Sequence, residues 1–232
     1  MRVEIWSDIV CPWCYIGKRH FESALERFEH RDQVEVVWRA FELDPAAPAE
    51  REGEYTARLA SKYAIPVSEA EEMVERMTRV GDDAGVDFRF DRARPGNTFD
   101  AHRLIHLGLE RGVQDAVEER LLAATFTEGR PVGSREALVE VAVEAGLDED
   151  EARSVLAGDR YADDVRADEQ LARTFGISAV PYFVIDRAYG LAGAQHPDVI
   201  LDVLRQVWTD SRPEPTPSAA GDGACEGDVC PV

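Results

Sequence analysis

The apolar pattern of this chain runs from strand to helix and back to strand. Val3, Ile5 and their neighbours predict a short strand over residues 2–7, ending in the loop Asp8-Ile9-Val10. Tyr15, Ile16, Phe21, Leu25 and Phe28 then recur at helical spacing. Residues 34–41 are β-branched and aromatic, which predicts a second, largely buried strand. Strand, helix, strand implies a parallel pair with a right-handed crossover.

From about Gly53 to Gly176 the pattern is helical throughout. Tyr55, Leu59 and Tyr63 share a face, and Pro66 stops that helix after Ala64. Ser68 and Glu71 read as a capping box for a stripe of Met73, Val74, Met77 and Val80. Further helices are signalled by Leu104/Ile105, by Val113/Val117/Leu121 and by Leu138/Val141/Ala142, the last ending at Gly146. Two more follow, on Val155/Leu156 and on Tyr161/Val165 running through Ala172 and Phe175 to Gly176.

Residues 181–185 and 189–192 read as strands around the turn Asp186-Arg187-Ala188, an antiparallel hairpin. An amphipathic helix over 196–208 turns Val199, Ile200, Val203, Leu204 and Val207 inward. After Thr209 the composition shifts to Pro, Ser, Ala, Gly and acid, a linker and tail. No repeat of solenoid period occurs. The expected division is a discontinuous α/β domain (1–52 and 177–209), a helical insertion (53–176) and a flexible tail (210–232).

With 232 residues, 44% of them hydrophobic, the chain can bury a sizeable core. No signal peptide is evident at the N-terminus. No stretch approaches the roughly 18 uninterrupted apolar residues of a membrane helix. A cytoplasmic location is therefore expected. The net charge of −20 argues against nucleic acid and anionic membranes as partners. Lys18 and Lys62 are the only lysines against 24 arginines, a pattern that resembles proteins of salt-accumulating halophiles. At 1 M salt the Debye length of about 3 Å screens such self-repulsion.

Four cysteines form two close pairs, Cys11/Cys14 and Cys225/Cys230, which in a cytoplasmic protein point to redox or metal chemistry. Cys11-Pro12-Trp13-Cys14 lies between a strand and a helix. A thiolate there faces unpaired backbone N–H groups and the positive end of the helix dipole. Pro12 suits the first turn, where no N–H is needed. Cys14, one turn on, is within disulfide reach of Cys11. Cys11 is thus the outer nucleophile, Cys14 the resolving thiol, and Trp13 an aromatic surface for substrate. Half of a zinc site shares this spacing, but its partners would be the distant tail pair. His102 and His106 share a helix face; packing over the site is expected rather than metal ligation. Asp8 reads either as an acid tuning Cys11 or as a plain loop cap. Pro181, preceded by Val180, opens an apolar strand after a loop; on local sequence alone an ordinary trans proline is the commoner case, and the Cys-x-x-Cys upstream is what favours cis.

Three blocks carry a family resemblance: Ser7-Asp8-Ile9-Val10-Cys11-Pro12-Trp13-Cys14-Tyr15-Ile16-Gly17, Asn97-Thr98-Phe99-Asp100-Ala101-His102-Arg103-Leu104, and Ala179-Val180-Pro181-Tyr182-Phe183-Val184 followed by Gly193-Ala194-Gln195. Together they resemble the DsbA-family thiol–disulfide oxidoreductases of the FrnE-like branch, over residues 1 to about 209. The resemblance implies a thioredoxin-like fold with a large inserted α-helical domain capping the site. It also implies Cys11 as nucleophile, Cys14 as resolving thiol, Pro181 as a cis proline and Val180 as a partner of substrate backbone. The Pro-Trp dipeptide lacks the His that the periplasmic relatives place there.

The expected activity is disulfide exchange with protein or peptide substrates, without cofactor or metal, supported by a cellular thiol reductant. The tail pair Cys225 and Cys230 is a candidate redox relay to Cys11–Cys14, with a metal clip or a bystander disulfide as rivals. A glutathione-dependent isomerase or transferase resembling 2-hydroxychromene-2-carboxylate isomerase is the alternative; that family usually has Ser where Cys11 stands. A zinc-stabilised binding module using all four cysteines is a third.

Overall fold

The computed structural model describes residues 1–51 and 53–211; the tail pair Cys225/Cys230 lies outside the described residues. Strand β1 (Arg2–Ser7), helix α1 (Pro12–Glu26) and strand β2 (Glu35–Ala40) form the expected βαβ unit. Its strands are parallel, with Val3 opposite Val36 and Ser7 opposite Ala40. Helices α2 (Tyr55–Tyr63), α3 (Val67–Asp83), α4 (Phe99–Arg111) and α5 (Gln114–Ala123) follow. The last runs on into a π-helical turn, Ala124–Glu128. Then come α6 (Arg135–Glu144), α7 (Glu149–Ala157) and α8 (Ala162–Thr174), the hairpin β3 (Tyr182–Ile185) and β4 (Tyr189–Ala192), and α9 (Pro197–Ser211).

The sheet order is β2-β1-β3-β4, with β3 antiparallel to both neighbours. Asp186 and Arg187 both take left-handed backbone, as a two-residue turn matching strand twist requires. The Asp186 carboxylate accepts the Arg2 N–H at 2.6 Å, fastening the turn to β1. The expected Ser68–Glu71 capping box does not form. Pro66 itself is the N-cap of α3, its carbonyl taking the Glu69 and Ala70 N–H groups, so Ser68 lies inside the first turn.

Period-two alternation gives the sheet two apolar faces. Val3, Ile5, Phe183 and Ile185 pack with Phe21 of α1 and Leu204 of α9. Trp6 and Val184 point the other way, towards Ala172 of α8 and Phe175 at its end. Trp6 Nε1 donates to the Asp168 carbonyl at 3.0 Å, and its ring meets Phe175 edge-on. Thus α8, which periodicity alone groups with the insertion, covers the second face of the sheet. The first core is continuous from Val3 and Phe21 into Phe88, Leu104, Phe126 and Leu138 of the helical region.

Strand β2 is an edge, and helical residues satisfy its outward backbone. The Gln114 amide accepts the Trp38 N–H at 3.0 Å and donates to the Trp38 carbonyl at 2.9 Å. Asp168 accepts the Ala40 N–H at 3.0 Å. Lys18 is fully buried beneath this edge, held by Glu22 and by Asp115 at 2.8 Å, with Trp38 5.4 Å away.

Candidate active site

Cys11 is the N-cap residue of α1, with Pro12 opening the helix. Its backbone N–H bonds to the Asp8 carbonyl at 2.9 Å, a tight turn that brings the cysteine back over the end of β1. Both thiols are free, and only the outer one reaches solvent: Cys11 is 6% exposed, Cys14 is 0% exposed. Burial, followed by the hydrogen bond and charge of Cys11, pushes the Cys14 thiol well above its ordinary range.

The Cys11 thiol donates to the Val180 carbonyl at 3.6 Å, and the Val180–Pro181 bond is cis. Pro181 rests on α1 at Gly17, where an added Cβ would lie 2.7 Å from the ring. The structure therefore brings Cys11, Cys14, Val180 and Pro181 together, although nearly 170 residues separate the two halves.

Two openings border the chain beside the cysteines, one at Trp13 and one at Val10. On one side Trp13, 44% exposed, borders a groove of about 310 Å³ with Met73, Met77 and Val80 of α3. On the other, Val10, Leu43, Tyr55 and Leu59 line a cleft of about 290 Å³ edged by Arg51, Arg58 and Lys62. Arg51 pairs with Asp44 there. Burial raises the Tyr55 hydroxyl above its usual range, and the charge of Cys11 adds to this, so that the ring senses the thiol.

Behind the pair lies a buried polar cluster. Asp8 is a loop cap, accepting the Leu43 N–H at 2.8 Å and the Val10 N–H at 3.4 Å. It also faces His102 Nε2 at 3.7 Å, too far for a hydrogen bond but close enough for charge attraction. Burial pulls the His102 pKa down, while Asp8, Glu118 and Glu42 outweigh it and leave the imidazole raised overall. His106 serves a different carboxylate, Asp168, at 2.9 Å. Asp168 also receives Arg39 Nη1 at 2.9 Å. The two histidines thus diverge, and among the described residues no group of three metal-ligating side chains converges.

Sequence reasoning missed Ser7, Glu42, Glu118 and Asp168. Ser7 Oγ donates to Glu118 Oε1 at 2.6 Å, and both residues are 1% exposed. The Ser7 hydroxyl also opposes the upward push on the Cys14 thiol. Burial pushes the Glu118 carboxyl up to about 7, opposed by the Ser7 hydrogen bond and by the charges of His102 and Lys18. A signal existed: Glu118 stands four residues after Gln114 and four before Leu122, on the inward face of α5. Glu42 is buried against Arg166.

Residues 2–205 match the DSBA-like thioredoxin domain. The chain belongs to this family. Among solved structures, this DSBA-like chain is similar to a probable DsbA oxidoreductase, SCO1869, of Streptomyces coelicolor. The identity is 45% and the TM-score 0.86, covering 100% of this chain and 99% of the other. Among curated proteins it is similar to the uncharacterised protein YwbO of Bacillus subtilis (strain 168), 29% identical over 187 residues, 80% of this chain and 86% of that one. The fold is also that of the cytosolic disulfide reductase DsbM of Pseudomonas aeruginosa, solved with GSH: 18% identity, TM-score 0.64, 90% of this chain and 99% of the other. The DSBA-like fold, a mixed sheet with a large helical complement, agrees with the α/β expectation. No described helix is long and apolar enough to cross a membrane.

Proposed function

We propose that the protein is a cytoplasmic thiol–disulfide oxidoreductase that exchanges disulfides with protein or peptide substrates through Cys11 and Cys14. The observation that carries this reading is the asymmetry of the pair. Cys11 caps a helix and meets the Val180 carbonyl, while Cys14 is sealed beneath it. An outer thiolate is placed to attack a substrate disulfide, and an inner thiol to resolve the mixed disulfide that results. Val180 offers its backbone to an extended substrate, Pro181 shapes that surface against α1, and Trp13 with the α3 groove takes an apolar side chain. Asp8 and His102 are positioning groups behind the pair. A cellular thiol returns the enzyme to its starting state.

The presence of a second thiol, Cys14, favours exchange over an isomerase that needs one nucleophile. The test is insulin reduction with dithiothreitol as the electron source. Cys11→Ser is expected to abolish turnover, and Cys14→Ser to accumulate enzyme–substrate mixed disulfides on a non-reducing gel. Full turnover by Cys11→Ser would overturn the reading.

A further inference from the structure

The chain carries 46 acidic residues against 26 basic ones. Over much of the surface the bases are answered by acids, as Arg205 is by Glu29 and Arg153 by Glu149. The cleft at Val10 departs from this balance. Its rim gathers Arg51, Arg58 and Lys62 against a single carboxylate, Asp44, which pairs with Arg51. The adjoining opening repeats the excess, with Arg94 joining Arg51 and Arg58 against Glu50 alone among the described residues.

Helical spacing explains how α2 builds this rim. Tyr55, Leu59 and Lys62 stand at i, i+4 and i+7 on one face, with Arg58 beside them. Arg58 lies over the Tyr55 ring at 5.7 Å and donates to the Gly53 carbonyl, which steadies the guanidinium at the cleft. Burial lowers the Arg58 pKa; Tyr55 opposes this and the charge of Arg51 adds to it. Two like charges thus crowd one rim, and an incoming carboxylate relieves them. Lys62 is exposed, whereas Lys18, the other lysine of the chain, is buried. Lys62 approaches the Tyr63 ring at 5.7 Å and makes no ion pair with a described residue. Val10 lines the same cleft and immediately precedes Cys11. Consecutive Cα atoms lie about 3.8 Å apart, so the cleft begins one residue from the nucleophile.

We propose that this cleft selects acidic substrates: a peptide segment bearing Asp or Glu within a few residues of its disulfide sets that carboxylate on Arg58 and Lys62 while its sulfur meets Cys11. This rests on the disulfide-exchange reading above and names the substrate class for it. The net charge of −20 repels an acidic partner at large, so a local cationic cleft is what admits one to the thiol. The chemistry is unchanged. The Cys11 thiolate attacks, the Cys11–substrate bond forms and the substrate S–S bond breaks. The leaving sulfur takes the electron pair and then a proton from solvent; the substrate is reduced and Cys11 oxidised. Arg58 and Lys62 hold the carboxylate and fix specificity.

The experiment uses the reduced full-length enzyme and three peptides, each with its cysteine blocked as a 2-pyridyl disulfide. The peptides differ only in the residues flanking that cysteine, which are Glu, Gln or Lys. Thiopyridone release gives the second-order rate, divided for each peptide by its rate with 2-mercaptoethanol to remove intrinsic reactivity. At a Debye length of about 10 Å, the Glu peptide is expected to outpace the Gln peptide about tenfold, with the Lys peptide slowest. Arg58→Gln and Lys62→Gln are each expected to cut the Glu-to-Gln ratio severalfold, and the double change to Glu at both positions to invert it. Arg153→Gln, an equal charge change on exposed α7, is expected to keep the wild-type ratio. Equal rates for the three peptides overturn the proposal. So does a wild-type ratio in Lys62→Gln, an exposed substitution that tests the cleft even if Arg58→Gln fails to fold. An equal fall of the ratio in Arg153→Gln assigns the preference to net charge and also overturns it. No release from any peptide by the wild type would instead sink the exchange reading.

Discussion

Gly17 of α1 and Pro181 at the start of β3 are in direct contact, and a Cβ on Gly17 would fall 2.7 Å from the proline Cγ. The missing side chain lets the loop carrying Val180 settle over Cys11. Gly17→Ala gains helix propensity of about 1 kcal/mol but overpacks a tight contact, at a cost of about 1–3 kcal/mol. We expect a melting temperature lowered by a few degrees and insulin reduction slowed severalfold. Wild-type turnover with unchanged melting would show that the contact is not needed.

Asp168 joins α8 to the sheet through Arg39 and the Ala40 N–H, and to α4 through His106. Asp168→Ala leaves a half-buried guanidinium and a strand-edge N–H short of a partner. The expected loss is about 3–5 kcal/mol, read as a lower urea midpoint at unchanged slope. A loss below about 0.5 kcal/mol, the range of ordinary surface substitutions, would refute this account of the junction.

Glu118, raised to about 7 in the folded state, binds its proton more tightly there than in the unfolded chain. The stability this lends is fully present below the unfolded carboxyl pKa of about 4.3 and lost as pH rises through about 7. Glu118→Gln removes that dependence. It should match the wild type near pH 4 and exceed it by about 3 kcal/mol at pH 8. Denaturant titrations at the two pH values measure the difference; a gap independent of pH would contradict it.

Trp13 presents its ring to solvent at the mouth of the α3 groove. Trp13→Ala should raise KM for peptide disulfides severalfold, as loss of an aromatic anchor does, while sparing reaction with a small aromatic disulfide. Folding stability should stay within about 0.5 kcal/mol. Equal loss with both substrates would place the role of Trp13 at the thiol rather than the groove.

Helix α9 ends away from the thiols. Trp208 stacks on His30 at 4.1 Å and Arg205 pairs with Glu29, so α9 ends beside the C-terminal end of α1. Cys11, at the other end of that helix, is about 22 Å distant by helix rise. Thirteen residues, 212–224, precede Cys225, and a chain of that length spans at most about 45 Å, more than that separation. Deleting residues 212–232 should reduce turnover with a natural dithiol reductant and leave turnover with a small thiol unchanged. Equal activity in both assays would make the tail a bystander.

The reactive pair was legible because chemistry, spacing and period agreed at Cys11–Cys14, whereas the roles of Val180 and Pro181 were legible only through the family resemblance, since an ordinary trans proline suits the local sequence. Helices α2 to α8 were legible one by one from their apolar stripes. Their placement was not: nothing local distinguishes α8, which covers the sheet, from its neighbours in the insertion. The polar cluster behind the thiols was equally hidden. Ser7, Glu118 and His102 lie on three separate elements, and only tertiary packing makes them neighbours. The capping box at Ser68 failed for a local reason, since Pro66 starts the helix before the serine can cap it.

Gln114 and Asp168 leave the sheet with unequal borders. A bare edge strand is a template on which another chain can add by backbone pairing. On β2 the groups that would recruit such a strand at Trp38 and Ala40 are already taken by side chains from α5 and α8. The opposite border, the outer side of β4, carries no strand beyond it among the described residues. Strand recruitment at Trp38 and Ala40 is therefore blocked, on the border where α5 holds the acid behind Cys14.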